Sequence, residues 1–222
     1  MSEAASRNQN RYIVGTTDLG GVTDILASLR GTMNLLTDLV DHPSEVKEAS
    51  DLILNLWHRY YDELDEIISI GQSGTSAWMG IWCAGKWYPI QCDFSAMISP
   101  AMFEEFVLPW LREQCRRLDH TIYHWDGPGQ IPHLDLLLSI PELDGIQWTP
   151  GAGNPDVGDE CWYPLYRRIL DAGKRLVLLG MAPKQIRGFI NQLGHRGVLI
   201  STWVATPDEA EELLKDVEAW CR

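Results

Sequence analysis

The 222-residue chain has no Cys-x-x-Cys pair; its five cysteines, Cys83, Cys92, Cys115, Cys161 and Cys221, are odd in number and widely spaced. That argues against a disulfide framework and a Cys-only zinc site, so they read as free thiols. A Lys- or Arg-rich run is also missing. With 18 basic against 31 acidic residues the formal net charge is −13, a field that repels phosphate backbones and anionic lipid and argues against nucleic acid as a partner. No apolar run approaches the ~20 residues needed to cross a bilayer, and the opening MSEAASRNQNRY has no apolar segment to act as a secretion signal. A cytoplasmic protein without membrane contact is the expectation. The phosphate-binding spacings G-x-G-x-x-G and GKS/GKT are absent too, since the stretch from Gly15 to Gly21 does not fit them.

What is present is ordinary globular composition, 45% hydrophobic and 22% charged, and no low-complexity linker divides it. The reading is one domain over 1–222, with 1–11 as a flexible N-terminal segment. Ten tryptophans stand out: Trp57, Trp78, Trp82, Trp87, Trp110, Trp125, Trp148, Trp162, Trp203 and Trp220. Several fall at the ends of predicted strands, where a flat apolar wall suits an aromatic or extended ligand.

Short apolar runs alternate with amphipathic helical patterns, the signature of a parallel α/β architecture. Strands are predicted over 12–17, 75–81, 121–123, 145–148, 175–179 and 198–203. Helices are predicted through Leu29, after Pro43 with Val46, Ala49, Ile53, Trp57, Tyr60, Tyr61, Leu64 and Ile68 as the apolar stripe, and after Ser99-Pro100 with Phe103, Phe106, Val107, Trp110 and Leu111. Three more span 133–138, 163–170 and 183–193. The last helix has Thr206 and Glu209 at capping-box spacing, Pro207 at its first position, and Ala210, Leu213, Leu214, Val217 and Trp220 on one face. Six strand-helix units without a phosphate loop favour a (β/α)8 barrel, incomplete, over a doubly wound sheet.

Ligands bind beyond the carboxyl ends of parallel strands, so the residues there are the candidates. The densest cluster is Tyr123-His124-Trp125-Asp126 with Gly127-Pro128-Gly129 after it. Strand periodicity sends His124 and Asp126 the same way, as an acid/base pair or as metal ligands; the blander reading is a core histidine and a turn-capping aspartate. Asp93 follows Cys92 in the loop before a helix, where it is either a further catalytic candidate, one half of a paired-carboxylate or metal site, or a helix cap. Asp18, Trp78, Gln147, Trp148 and Trp203 are the candidates for binding substrate, with Asp18 also a plausible turn former.

Three stretches carry a family resemblance: Ile13 to Leu26 with Leu39 to Val46; Ser99 to Trp110; and Tyr123 to Gly127 with Asp144 to Trp148. They resemble the uroporphyrinogen decarboxylase superfamily, which includes corrinoid-dependent methyltransferases, and the resemblance implies a (β/α)8 barrel with a cleft at its carboxyl face. The arginine pair of the decarboxylases has no counterpart, their active-site tyrosine aligns with Ser28, and their C-terminal histidine is not matched near Thr202 and Trp203. The methyltransferases' His-x-Cys zinc motif is similar to His124-Trp125-Asp126, with Ser201 and Thr202 near the position of their distal cysteine. The resemblance therefore implies methyl transfer from a corrinoid carried by a partner protein to a small acceptor, with zinc on His124 and Asp126. Cofactor-free decarboxylation of an acidic tetrapyrrole and a non-catalytic, ligand-binding barrel fragment are the alternatives. An incomplete barrel leaves sheet edges to cover, so a homo-oligomer is expected.

Overall fold

The computed structural model describes residues 1–8 and 11–222, and its chain contacts group into two units, Met1–Tyr123 with Gly129–Leu143, and His124–Pro128 with Asp144–Arg222. In the first, the N-terminal segment carries helix α1, Ser2–Arg7; Gln9 and Asn10, part of the segment expected to be flexible, lie outside the described residues. Helix α2, Val22–Arg30, starts from Gly21. Helix α3, Thr32–Asp41, was not expected. It follows directly because Gly31 adopts φ +88° and turns the chain between the two helices, and it buries only the i, i+4 pair Leu35 and Leu39.

Pro43 occupies the first turn of α4, Pro43–Ser69, where its missing N–H costs no helical bond. Val46, Ile53, Trp57, Tyr61 and Ile68 are buried along one face, a narrower stripe than the sequence pattern suggested, because Tyr60 is exposed and Ala49 and Leu64 are only half-buried. The Trp57 ring stacks on Tyr61 and meets Tyr88 edge-on. Its Nε1 donates to the Gly20 carbonyl at 3.1 Å, and the Tyr61 hydroxyl donates to the Trp87 carbonyl at 3.1 Å. Buried rings with satisfied polar tips thus anchor α4 to the loop ahead of α2 and to the next sheet strand.

Strands β1, Thr75–Ser76, and β2, Trp82–Cys83, form an antiparallel pair. The strand expected over 75–81 stops early because the Gly80 N–H bonds to the Ala77 carbonyl at 2.9 Å, closing a turn at φ +70°. The strand expected over 12–17 does not form. That segment makes one bond to β1, from the Thr16 N–H to the Ser76 carbonyl at 2.7 Å, and leaves Tyr12 and Ile13 exposed. Strand β3, Trp87–Gln91, lies where no strand is predicted. Pro89 hid it: proline removes a ladder donor and is tolerated at a sheet edge, which is where β3 runs.

Ser99 caps helix α5, Pro100–Phe106, as expected, its hydroxyl accepting from the Met102 N–H at 3.2 Å. The predicted single helix breaks at Val107 and resumes as α6, Leu108–Arg117, because Pro109 has no N–H to extend the ladder. Phe103, Phe106, Val107, Trp110 and Leu111 are nonetheless all buried. Strand β4, His120–Asp126, and helix α7, Leu134–Leu138, follow.

The second unit contains β5, Gly145–Thr149; α8, Tyr163–Asp171; β6, Arg175–Leu178; α9, Pro183–Leu193; β7, Val198–Ile200; and α10, Pro207–Trp220. Both β5 with β6 and β6 with β7 pair parallel. Trp125, Trp148, Trp162, Tyr166 and Phe189 fill its core. Thr206 caps α10 by accepting from the Glu209 N–H at 3.3 Å. The α10 stripe is half-buried at Ala210, Leu213, Val217 and Trp220, and Leu214 is 66% exposed.

The protein is α/β with a five-stranded parallel sheet in the order β3-β4-β5-β6-β7. Each strand neighbours the next in sequence, so the order never reverses as it does in a doubly wound sheet. No closed barrel forms among the described residues, since the expected first strand is absent and β1 pairs with β2 in a separate sheet. No helix among them is long and apolar enough to cross a membrane. All five cysteines are free thiols.

Candidate metal centre

Burial alternates strictly along β4: Thr121, Tyr123 and Trp125 are buried, while Ile122, His124 and Asp126 are half-buried on the other face. The period of two thus puts His124 and Asp126 together at the carboxyl end of the strand, as expected from their spacing, and the atoms they offer as ligands lie within 4.8 Å of one another. Gly127, at φ +79°, ends the strand, its N–H bonded to the Thr149 carbonyl at 2.8 Å. The β4 end is thereby tied to the end of β5, which supplies Gln147.

Gln147 is fully buried, and its amide decides the state of His124. Its NH2 group donates to the Trp148 carbonyl at 2.9 Å and to the Thr149 hydroxyl at 2.7 Å. A carbonyl oxygen accepts only, so the nitrogen must face it and Oε1 must face His124. Oε1 in turn accepts from His124 Nδ1 in a short contact. Nδ1 therefore carries the proton, and Nε2 is the nitrogen with the lone pair when the ring is neutral. Fixing one ring nitrogen so that the other presents a lone pair is how metal-ligating histidines are held. It equally prepares Nε2 to take a proton as a base.

Asp93 lies in the first unit, exposed, as the opening residue of a 3-10 helix, Asp93–Met97, just beyond β3. The carboxylate of Asp24 accepts from the N–H groups of Asp93, at 3.1 Å, and of Phe94, at 2.8 Å. Sequence reasoning passed over Asp24; its only signal was the Gly20-Gly21-x-x-Asp24 spacing ahead of a helix. Burial pushes the Asp24 carboxyl up, against the opposing pull of the Phe94 and Asp93 amides.

The candidates for substrate binding are dispersed. Asp18 accepts from the Gly20 N–H at 3.0 Å, an Asx-type turn, and from the Tyr88 hydroxyl at 2.8 Å; burial holds Tyr88 protonated well above the usual range. Trp78 is part-exposed in the turn after β1. Trp148 is fully buried between Trp125 and Trp162, at 4.6 and 5.0 Å between ring centroids, which makes it core. Trp203, just beyond β7, is 83% exposed. Of the remaining histidines, His58 and His133 are buried packing residues. His133 lies flat on Phe103 at 4.4 Å with Nε2 against the Ser95 carbonyl.

An imidazole with one oriented nitrogen beside a carboxylate is a pair of donors that zinc and other first-row divalent ions accept. Comparison with known proteins adds no name to this chemistry: no family model, no curated protein and no solved structure matches the chain.

Proposed function

We propose that the chain is a metal-dependent enzyme of the uroporphyrinogen decarboxylase/corrinoid methyltransferase type, built on an incomplete (β/α)8 barrel, that transfers a methyl group from a corrinoid protein to a small acceptor. The observation that carries the metal site is the Gln147-oriented His124 beside Asp126. The sequential strand order supports the barrel-type winding.

A divalent ion such as zinc, when bound, supplies Lewis acidity that stabilises the acceptor as its anion. The protein's own parts do the rest. Gln147 holds Nδ1 of His124 so that Nε2 points away from the amide, and the Asp126 carboxylate offsets part of the ion's charge. The exposed face of Trp203 offers an apolar platform for an acceptor or its carrier. Decarboxylation of an acidic tetrapyrrole is the second reading, favoured by the exposed Asp93 carboxylate, which suits a protonated pyrrole.

Zinc loading, dialysis and metal analysis separate the two. One equivalent is expected on the wild-type protein and none on His124→Ala or Asp126→Ala, with unchanged circular dichroism. Equal stoichiometric zinc in all three rejects these ligands, and no zinc in any rejects the metal reading in favour of acid/base chemistry.

A further inference from the structure

Parallel pairing sets the side chains around His124 in rows. The Gly127 N–H bonds to the Thr149 carbonyl at 2.8 Å. In a parallel ladder a carbonyl takes the N–H of the residue just past its neighbour, so Asp126 lies beside Thr149. Two residues back on the same face, His124 lies beside Gln147, in keeping with the contact between them. These four side chains share one face at the carboxyl ends of β4 and β5, and all four belong to the second unit.

Hydrogen bonding fixes the direction of the Thr149 hydroxyl. The Gln147 amide nitrogen donates to the Trp148 carbonyl at 2.9 Å and to Thr149 Oγ1 at 2.7 Å, which uses both of its protons. An oxygen that accepts from Gln147 turns its own proton elsewhere, and among the described residues that proton has no acceptor. We infer that Thr149 is a substrate-contacting residue: its hydroxyl donates to an anionic oxygen of the molecule held at His124 and Asp126, so the site takes a small oxyanion such as a carboxylate. The inference rests on the reading of His124 and Asp126 as metal ligands. A divalent ion on that pair leaves the site positive, which an anion offsets. Support for Gln147 does not by itself call for a hydroxyl here, because the Trp148 carbonyl already decides which way the amide faces. A donor beside a metal ligand instead selects for oxygen: an O–H···O⁻ bond is short and strong, whereas a large, soft anion gains little from it.

Cobalt(II) serves as the reporter, because its visible absorption follows its ligands, and acetate and iodide serve as the probe anions. The full chain, Thr149→Val and Thr149→Ser are loaded with cobalt and titrated with each anion, with thermal melts to confirm folding; Thr149→Ala replaces the valine variant if that one does not fold. All should bind cobalt, since Gln147 still holds His124. Loss of a hydrogen bond to a charged group should weaken acetate binding about 10–100-fold in Thr149→Val. Iodide binding should be unchanged, and Thr149→Ser should restore acetate binding. Unchanged acetate affinity in Thr149→Val, equal losses of acetate and iodide, no rescue by serine, or no response of the wild-type cobalt protein to acetate overturns the inference and leaves the metal site standing. Failure of the wild-type protein to bind cobalt overturns both.

Discussion

Replacing Gln147 by methionine removes every polar contact of the amide while nearly conserving its volume. The structure sets the size of the effect. Two donated bonds, to the Trp148 carbonyl and the Thr149 hydroxyl, and one accepted from His124 are lost at a fully buried position. Thr149 is half-buried and turns to water, while the Trp148 carbonyl and His124 Nδ1 lose a partner. At ~1–3 kcal/mol for each buried group left unsatisfied, less what water restores, the net destabilisation is about 2–3 kcal/mol. For a chain of this length that corresponds to a melting temperature lower by roughly 4–12 °C. The functional effect is separate: with Nδ1 unanchored, both tautomers and more ring orientations are populated, and zinc affinity should fall about 10–100-fold. Gln147→Glu divides the two effects. It keeps an acceptor for Nδ1–H and loses the donors, so stability should drop while zinc affinity stays at or above wild type. Isothermal titration and thermal melts on the three proteins read both quantities. Unchanged zinc affinity in Gln147→Met, or an equal loss in both variants, refutes the argument that Gln147 sets the tautomer of His124.

Gly21→Ala should lower stability by about 1–3 kcal/mol, as overpacking does, because the new methyl meets the Gln91 carbonyl, a backbone atom with no freedom to swing aside; a thermal melt within 1 °C of wild type contradicts the close approach. Burial, reinforced by Arg117, depresses His58 to about 4 from 6.5. The unfolded chain then binds the proton more readily than the folded one, so this contribution is complete above pH 6.5 and is lost as pH falls from 6.5 towards 4, by at most roughly 3 kcal/mol. Urea unfolding of His58→Leu should show a flatter pH profile across that window than wild type, and parallel profiles refute the assignment.

Much of this was legible in the sequence where local chemistry and periodicity agree. Pro183–Leu193, the Ser99 and Thr206 caps and the shared face of His124 and Asp126 follow from patterns of a few residues. The strand expected over 12–17 has the same apolar character as a true strand, but pairing depends on a distant partner, and β1 offers it a single bond. Strand β3 was obscured by Pro89, and α3, which no predicted helix covers, has only the two buried residues Leu35 and Leu39 to mark its apolar face. In the candidate site, the residue types were readable and the supports were not. Gln147 reads as a strand-end amide and Asp24 as a helix-start acid; only the fold shows that one orients His124 and the other holds the backbone of Asp93.

The measurement that bears most directly on the metal site is anomalous diffraction from crystals soaked in zinc, collected on both sides of the zinc edge. The account predicts one strong anomalous peak about 2.0–2.2 Å from Nε2 of His124 and from a carboxylate oxygen of Asp126, with Nδ1 of His124 still donating to Gln147. A map without that peak at saturating zinc, or a peak on Nδ1 with the Gln147 contact broken, contradicts it.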